Sequence, residues 1–421
     1  MLVVRLLTTA LALTIPFALF GQASAAGSAP TPLSALLAEA NTNNPQISAA
    51  DQGWQAAKEV PRQVSALPDA TFTYQQFSVG SPKPFAGYTN SNFSYVGIGA
   101  SQELPYPGKL RLRGEAAQRA ADVKGVEVDA TRASIADAVK SDYLKLAYLQ
   151  MTLGILQENE RVLEQIIRDA TAHYEVGQGS QADLLQAQVE RTKLLREITS
   201  HSEQTELVEA QLKGMLNRDQ DSPDIVTEPL TETPLQLTSA ALLQLVRAHN
   251  PEVQVDASAV RKENAALKSA EREGKPDFGL AYMYENTDRK YRDYYMFTFN
   301  VRLPRRGQTR AEVAEASDKL AQSRATLNAH LQQQLAQVKQ EYVTVTSDAE
   351  LLKEYREALI PQSDAAYRSM LDAYASNRDS LVNVLRAIMN VLELKLDYAQ
   401  TLAHRETALA HLETLTGETL R

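Results

Sequence analysis

Four short stretches of this chain alternate between apolar and polar residues with the period of a β-strand. In Thr71–Phe77, Phe72 and Tyr74 share one face, and Thr71, Thr73 and Gln75 share the other. Phe93–Glu103 places Val96, Ile98 and Ala100 together. Phe278, Leu280, Tyr282 and Tyr284 form one face of a third strand. Tyr295, Phe297, Phe299 and Val301 alternate with Met296, Thr298, Asn300 and Arg302 in a fourth. Elsewhere the apolar spacing is helical. Helices are predicted over 33–67, 109–176, 181–216 and 242–272, with a further long helix opening at Gly307, and Asn44-Pro45 and Asn250-Pro251 interrupt early turns. Pro68, Leu104-Pro105, Pro276 and Leu303-Pro304 stop elements, and Pro361 is expected to bend the second long helix.

The order helix, hairpin, long helix, turn, helix occurs twice. Tyr174, Ser180, Leu185 and Ala187 recur 200 residues later as Tyr374, Ser380, Leu385 and Ala387. Leu104-Pro105 and Gly108 recur 199 residues later as Leu303-Pro304 and Gly307. Such self-similarity defines an internally duplicated chain. The expected division is a signal segment at 1–25, a first repeat at 26–218, a Pro- and Thr-rich linker at 219–236 and a second repeat at 237–421. A helix over 109–176 would run ~100 Å at 1.5 Å per residue, too long for a globule. The fold class is therefore mainly α with a small β part, drawn out along one axis.

Composition narrows what such a chain does. Of 27 aromatic residues, 16 fall within 72–106 and 278–299, a concentration on short strands that suits a membrane β-barrel. Four strands are too few to close one, since about eight is the practical minimum, so several copies must contribute; three would supply twelve. The leader has Arg5, an apolar run from Leu6 to Phe20 and Ala23-Ser24-Ala25, the pattern of a secretory signal. The net charge of -9 argues against nucleic acid as a partner. The sequence has no cysteine, which excludes disulfides, thiolate metal sites and a lipid-bearing cysteine.

At this point the sequence resembles the TolC-like outer-membrane efflux factors. The resemblance covers essentially the whole mature chain. It rests on the double repeat, the two strand pairs ending in Leu-Pro, and the Tyr-x-x-Gly-x-x-Ser-x-x-Asp-Leu-Leu turn at Tyr174–Leu185. It implies a homotrimer with a twelve-stranded outer-membrane barrel and a twelve-helix periplasmic tunnel. It also implies an inner-membrane transporter and a periplasmic adaptor as partners. Gln102–Lys109 resembles the branch that serves heavy-metal efflux pumps. A protein-secretion conduit of the same fold, and a periplasmic coiled-coil scaffold with a soluble sheet, are the alternatives left open.

The resemblance also nominates sites. The two helix turns fall at the periplasmic tip, where an adaptor docks: Val176, Gly177, Ser180, Asp183 and Leu184 in the first repeat, Tyr374, Asn377 and Ser380 in the second. Gly177 and Asn377 suit a left-handed helix end, and Ser180 and Ser380 suit N-caps. Some relatives carry pore-lining aspartates where this chain has Asn383 and Arg386. The expected gate is thus a set of pairs across subunits that hold the tip shut, drawn from Asp183, Arg378, Asp379, Asn383 and Arg386. Lys109, Arg111 and Arg113, with Arg302, Arg305 and Arg306, form two basic clusters expected beside lipid headgroups of the outer membrane. The six histidines make no i, i+3 or i+4 pair, and the methionines no cluster along the sequence, so no metal site is expected. Catalysis and cofactor binding find no motif: Gly97-Ile98-Gly99 has Gln102 where a third glycine belongs.

Overall fold

The computed structural model describes residues 30–89, 91, 93–177, 179–287, 292–376 and 378–420. The signal segment 1–25, Gln178 and Asn377 lie outside the described residues. The element order is α1 (Leu33–Asn43), α2 (Pro45–Ser65), β1 (Thr71–Phe77), β2 (Tyr95–Leu104), α3 (Lys109–Glu175) and α4 (Gln181–Met215). The second round is α5 (Ser239–His249), α6 (Pro251–Glu273), β3 (Asp277–Asn286), β4 (Asp293–Arg302), α7 (Arg306–Glu354), α8 (Ile360–Ala375) and α9 (Leu381–Thr416). A π-helical turn at Tyr355–Leu359 joins α7 to α8.

Local chemistry explains the breaks. Asn44 ends α1 and caps α2, its side chain accepting from the N–H groups of Gln46 (2.8 Å) and Ile47 (3.3 Å). Its amide nitrogen donates to the Met215 carbonyl at 2.8 Å, tying off the end of α4. Asn250 repeats the device: it accepts from Val253 N–H (2.9 Å) and donates to the Leu415 carbonyl (2.8 Å) at the end of α9. Each Asn-Pro thus caps one helix and holds another. Pro361 has no N–H to donate. The π turn precedes it, with Ile360 N–H bonded to the Tyr355 carbonyl, so the expected bend is a local widening of the helix.

The apolar core is split along the long axis. One cluster gathers Leu36, Val139, Tyr143, Leu146 and Leu212, and a second gathers Leu242, Val246, Val338, Leu409 and Leu412. These are the two repeats at mid-height. A third, with Leu163, Ile166, Leu194, Leu385 and Ile388, joins α3, α4 and α9 towards the helix turns. The linker stretch is clasped by α9: Thr233 N–H donates to Glu406 (3.0 Å), and buried Arg405 donates to the Thr233 carbonyl (2.7 Å).

The four strands form one antiparallel sheet in the order β1-β2-β3-β4. β2 starts two residues later than the alternation predicts and reaches Leu104, while β4 starts two earlier, at Asp293. Register puts Tyr74, Ile98, Tyr284 and Tyr295 in one row, and Phe72, Ala100, Tyr282 and Phe297 in the next. The opposite face carries Thr73, Gly99, Met283 and Met296, then Thr71, Ser101, Ala281 and Thr298. One face is therefore mostly aromatic, and the other mixes small and polar residues with Met283 and Met296. Among the described residues, no helix is long and apolar enough to cross a membrane.

Candidate functional site

The helix turns lie at one end of the long axis. α3 closes with Val176 N–H on the Ala172 carbonyl (3.3 Å) and Gly177 N–H on Tyr174 (3.0 Å). Gly177 has φ +75°, a left-handed conformation that costs an L-residue. Ser180 is a true N-cap, its hydroxyl accepting from Asp183 N–H at 3.2 Å. Asp183 sits in the first turn of α4, where a carboxylate favours the helix dipole. Val176 is 67% exposed.

The second turn is built otherwise. Ser380 stands at the N-cap of α9, but its hydroxyl makes no capping bond. The preceding residue, Asp379, accepts from Ser380 N–H (2.7 Å) and from the Asn383 side-chain amide (2.6 Å), so it braces the turn without capping an N–H of the helix. Those two bonds hold the Asp379 carboxyl below the usual carboxylate range, the Asn383 bond most strongly. Leu184 and Tyr374 are part-buried against the same core cluster, and the rings of His173 and Tyr374 lie 5.3 Å apart. These residues clamp the chain's two tips together. Burial, with Asp183 and Asp169 nearby, raises the Tyr374 phenol.

The residues expected to form the gate between subunits make no ion pairs with one another within the chain. Among the described residues, Arg386 is exposed and in no ion pair, and Asp183 is in none. Asp379 is engaged by Ser380 N–H and the Asn383 amide, and among the described residues the Arg378 side chain reaches Ser376 Oγ, at 3.4 Å.

The first basic cluster also departs from expectation. Lys109 is 1% exposed. Its ammonium lies 2.9 Å from Asp277 and 3.5 Å from Glu273. Arg113 grips Glu273 with two bonds of 2.7 and 2.8 Å. Tyr106 N–H donates to Asp277 at 2.8 Å, and Arg272 donates to the Pro107 carbonyl while lying over the Tyr106 ring. These groups lock the start of α3 to the junction of α6 and β3. Lys109 is thus removed from any lipid surface, because carboxylates 160 or more residues away in sequence enclose it. The bidentate carboxylate raises the Arg113 guanidinium further. Arg302 pairs with Glu103 across the sheet, and exposed Arg111 with Glu115 one turn on. Arg305 and Arg306 stay exposed.

No group of three or more His, Asp or Glu side chains among the described residues is arranged to hold a metal ion. Four histidines instead take a carboxylate partner: His249 with Glu418, His330 with Asp256, His404 with Asp348 and His411 with Asp137. The bond to Asp137 raises the His411 imidazole against the opposing effect of burial. Sequence reading missed these cross-helix partners, and missed that Met283 and Met296 face each other on adjacent strands.

Residues 36–218 match the model of the outer membrane efflux protein family. No curated protein matches the sequence. Among solved structures, the chain is similar to CusC (TM-score 0.78, 17% identity, 92% of each chain covered). It is similar to the outer membrane protein VceC from Vibrio cholerae (TM-score 0.76, 15% identity, 92% of this chain and 97% of that one). It also resembles the MtrE outer membrane channel of Neisseria gonorrhoeae (TM-score 0.75, 17% identity, 92% and 89%). At such identities the structural likeness speaks to fold, and the family match speaks to descent. The chain thus has the fold of these outer-membrane channels, and its first half is similar in sequence to the outer membrane efflux proteins.

Proposed function

We propose that three copies of this outer-membrane efflux channel close a twelve-stranded barrel over a helical tunnel and serve as a passive export conduit. The observation that carries the reading is the sheet. Its two faces differ as lipid and water differ: Phe72, Tyr282, Phe297 and Phe299 on one side, Thr71, Thr73, Ser101, Thr298 and Asn300 on the other. Both edge strands lack a second neighbour within the chain. An open edge at membrane depth leaves backbone groups unsatisfied, so the sheet calls for further copies. Energy for export then belongs to an inner-membrane transporter, reached through a periplasmic adaptor.

The adaptor's contact surface in this reading includes the exposed residues Val176, Gly177, Ser180 and Ser380, with half-buried Asp183 beside them; Asn377, nominated by the sequence, lies outside the described residues. Leu184 and Tyr374 support that surface from within. The gate is formed between copies, with Arg378 and Arg386 of one facing carboxylates of the next. Arg111, Arg305 and Arg306 are the cations left to meet phospholipid headgroups. Gln102–Lys109 is the one stretch favouring a heavy-metal cargo, by its resemblance to that branch. Within that stretch Gln102, Tyr106 and Lys109 serve the junction between sheet and helix.

The test is mass and conductance. Detergent-purified protein should have the mass of three chains and give discrete conductance steps in planar bilayers. A monodisperse, water-soluble monomer without channel activity would sink the reading.

A further inference from the structure

β1 and β3 lead away from the helices and β2 and β4 return to them, so the β1–β2 and β3–β4 connections lie at the end of the sheet farthest from the helices. On the aromatic face, the last apolar row before that end is Tyr74, Ile98, Tyr284 and Tyr295. The row beyond it, Gln76, Val96, Asn286 and Asp293, is mostly polar. Two tyrosine hydroxyls point across this boundary: Tyr74 donates to Gln76 Oε1 at 2.7 Å, and Tyr284 donates to Asp293 at 2.6 Å. Tyrosines with the ring on the apolar side and the hydroxyl on the polar side mark the edge of a bilayer's hydrocarbon.

We infer that the β1–β2 loop folds back onto this edge as a membrane foot, with Phe85 seated where the acyl chains of the outer leaflet meet their headgroups. The inference rests on the three-copy barrel reading above.

Gln76 builds the foot. A glutamine amide has two acceptor and two donor places, and all four are engaged. The oxygen accepts the Tyr74 hydroxyl and Phe85 N–H (2.6 Å), and the nitrogen donates to the carbonyls of Lys83 (3.0 Å) and Ala86 (2.9 Å). Residues 83–86 form a β-turn, with Ala86 N–H donating to the Lys83 carbonyl at 3.2 Å. Pro84 takes the second place of the turn, where its fixed φ fits. Phe85 takes the third at φ +57°, where glycine or asparagine normally stands. At the neck of the loop Val79 N–H donates to the Gly87 carbonyl at 3.2 Å, and a Cβ on Gly87 would come within 3.0 Å of Ser81.

This construction holds a large apolar ring out in the open. Phe85 is 67% exposed. Its ring centroid lies 4.9 Å from that of Tyr74, which sets it on the aromatic face and away from the bore. A bulky residue in the left-handed region is strained, and within the chain the ring gains little burial in return. A lipid leaflet supplies that burial. Phe85 then extends the last apolar row, and exposed Lys83 beside it stands at headgroup level. Gln76 would be out of place on a lipid-facing strand without partners; the loop's own backbone provides them.

Fluorescence tests the foot. The single tryptophan, Trp54, lies on α2, so a Trp54→Phe background leaves the sheet dark. Phe85→Trp and, separately, Tyr282→Trp are made in that background. Each full-length protein is reconstituted in phosphatidylcholine vesicles whose acyl chains carry bromine near the glycerol end or near the methyl end. The Phe85→Trp variant should emit to the blue of an exposed indole and be quenched more by the shallow bromine than by the deep one. Adding Gln76→Ala should weaken that quenching with trimer mass unchanged; undiminished quenching overturns the role given to Gln76. Blue-shifted but unquenched emission would put residue 85 against another copy, and red-shifted, unquenched emission would put it in water over the barrel mouth. Either result, with the Tyr282→Trp variant quenched, overturns the foot and leaves the barrel. A Tyr282→Trp variant that neither bromine quenches overturns the reading beneath it. If the Trp54→Phe background fails to assemble, a spin label on Phe85→Cys, in a chain with no other cysteine, reads the same depth by its accessibility to oxygen.

Discussion

Burial divides the basic residues that follow Leu104-Pro105. Lys109, Arg111 and Arg113 are equivalent as a charge pattern, yet Lys109 is enclosed, Arg113 is half-covered and Arg111 points to solvent. A helix start facing the membrane predicts the charges but says nothing of Glu273 and Asp277, which arrive from the other repeat. Removing one member of a buried pair leaves its partner uncompensated and costs ~3–5 kcal/mol. Lys109's partners retain some solvent and other donors, so the lower end applies. Lys109→Ala should therefore destabilise the protein by about 3 kcal/mol, read as a lower midpoint for thermal unfolding in detergent. Arg111→Ala should leave the midpoint in place, since exposed pairs contribute little. Equal effects from the two substitutions would mean that the cluster at Lys109 is ordinary surface charge.

Elements were legible wherever one residue type has one mechanical meaning. The Asn-Pro pairs mark the helix breaks at 44–45 and 250–251 because asparagine caps and proline starts a helix, and the structure places both breaks there. The strands were readable from period two. The ends of β2 and β4 were not, because strand ends depend on a neighbour's length and β3 runs to Asn286. The tips were half legible. Ser180 caps as its position implies, whereas the Ser380 hydroxyl makes no capping bond and the Ser380 N–H turns to Asp379. At the first turn, Gly177 has open space around its missing side chain, so any cost of substitution lies in the backbone. A left-handed L-residue costs roughly 1–2 kcal/mol, and a β-branched one fits least well. Gly177→Val should speed amide exchange about tenfold across Tyr174–Leu184 with trimer mass unchanged. Gly177→Asn should speed it less. Unaltered exchange in the valine variant would show that the turn does not depend on the left-handed residue.

At the scale of the molecule, duplication was the most readable feature, because each repeat must bury its face against a copy of itself. What a single sequence hides is which contacts close within the chain and which between chains. The gate is the clearest case. Arg386 lies one helical turn beyond Asn383, on the same side of α9, and within its own chain it meets no carboxylate among the described residues. Asp379, one candidate partner, is held by Ser380 N–H and the Asn383 amide. A latch through Arg386 must therefore reach a carboxylate of another copy, with Asp183 of the adjoining tip as the nearest kind. If three arginines converge on a closed tip, their mutual repulsion has to be offset by such carboxylates. Loss of the pairs then favours the open state. Arg386→Ala should raise single-channel conductance in planar bilayers. High salt should raise it in the wild type beyond the gain expected from bulk conductivity, by screening the same pairs, and should add little to the variant. Conductance that tracks bulk salt in both proteins would make Arg386 a solvated surface charge and place any constriction elsewhere along the tunnel.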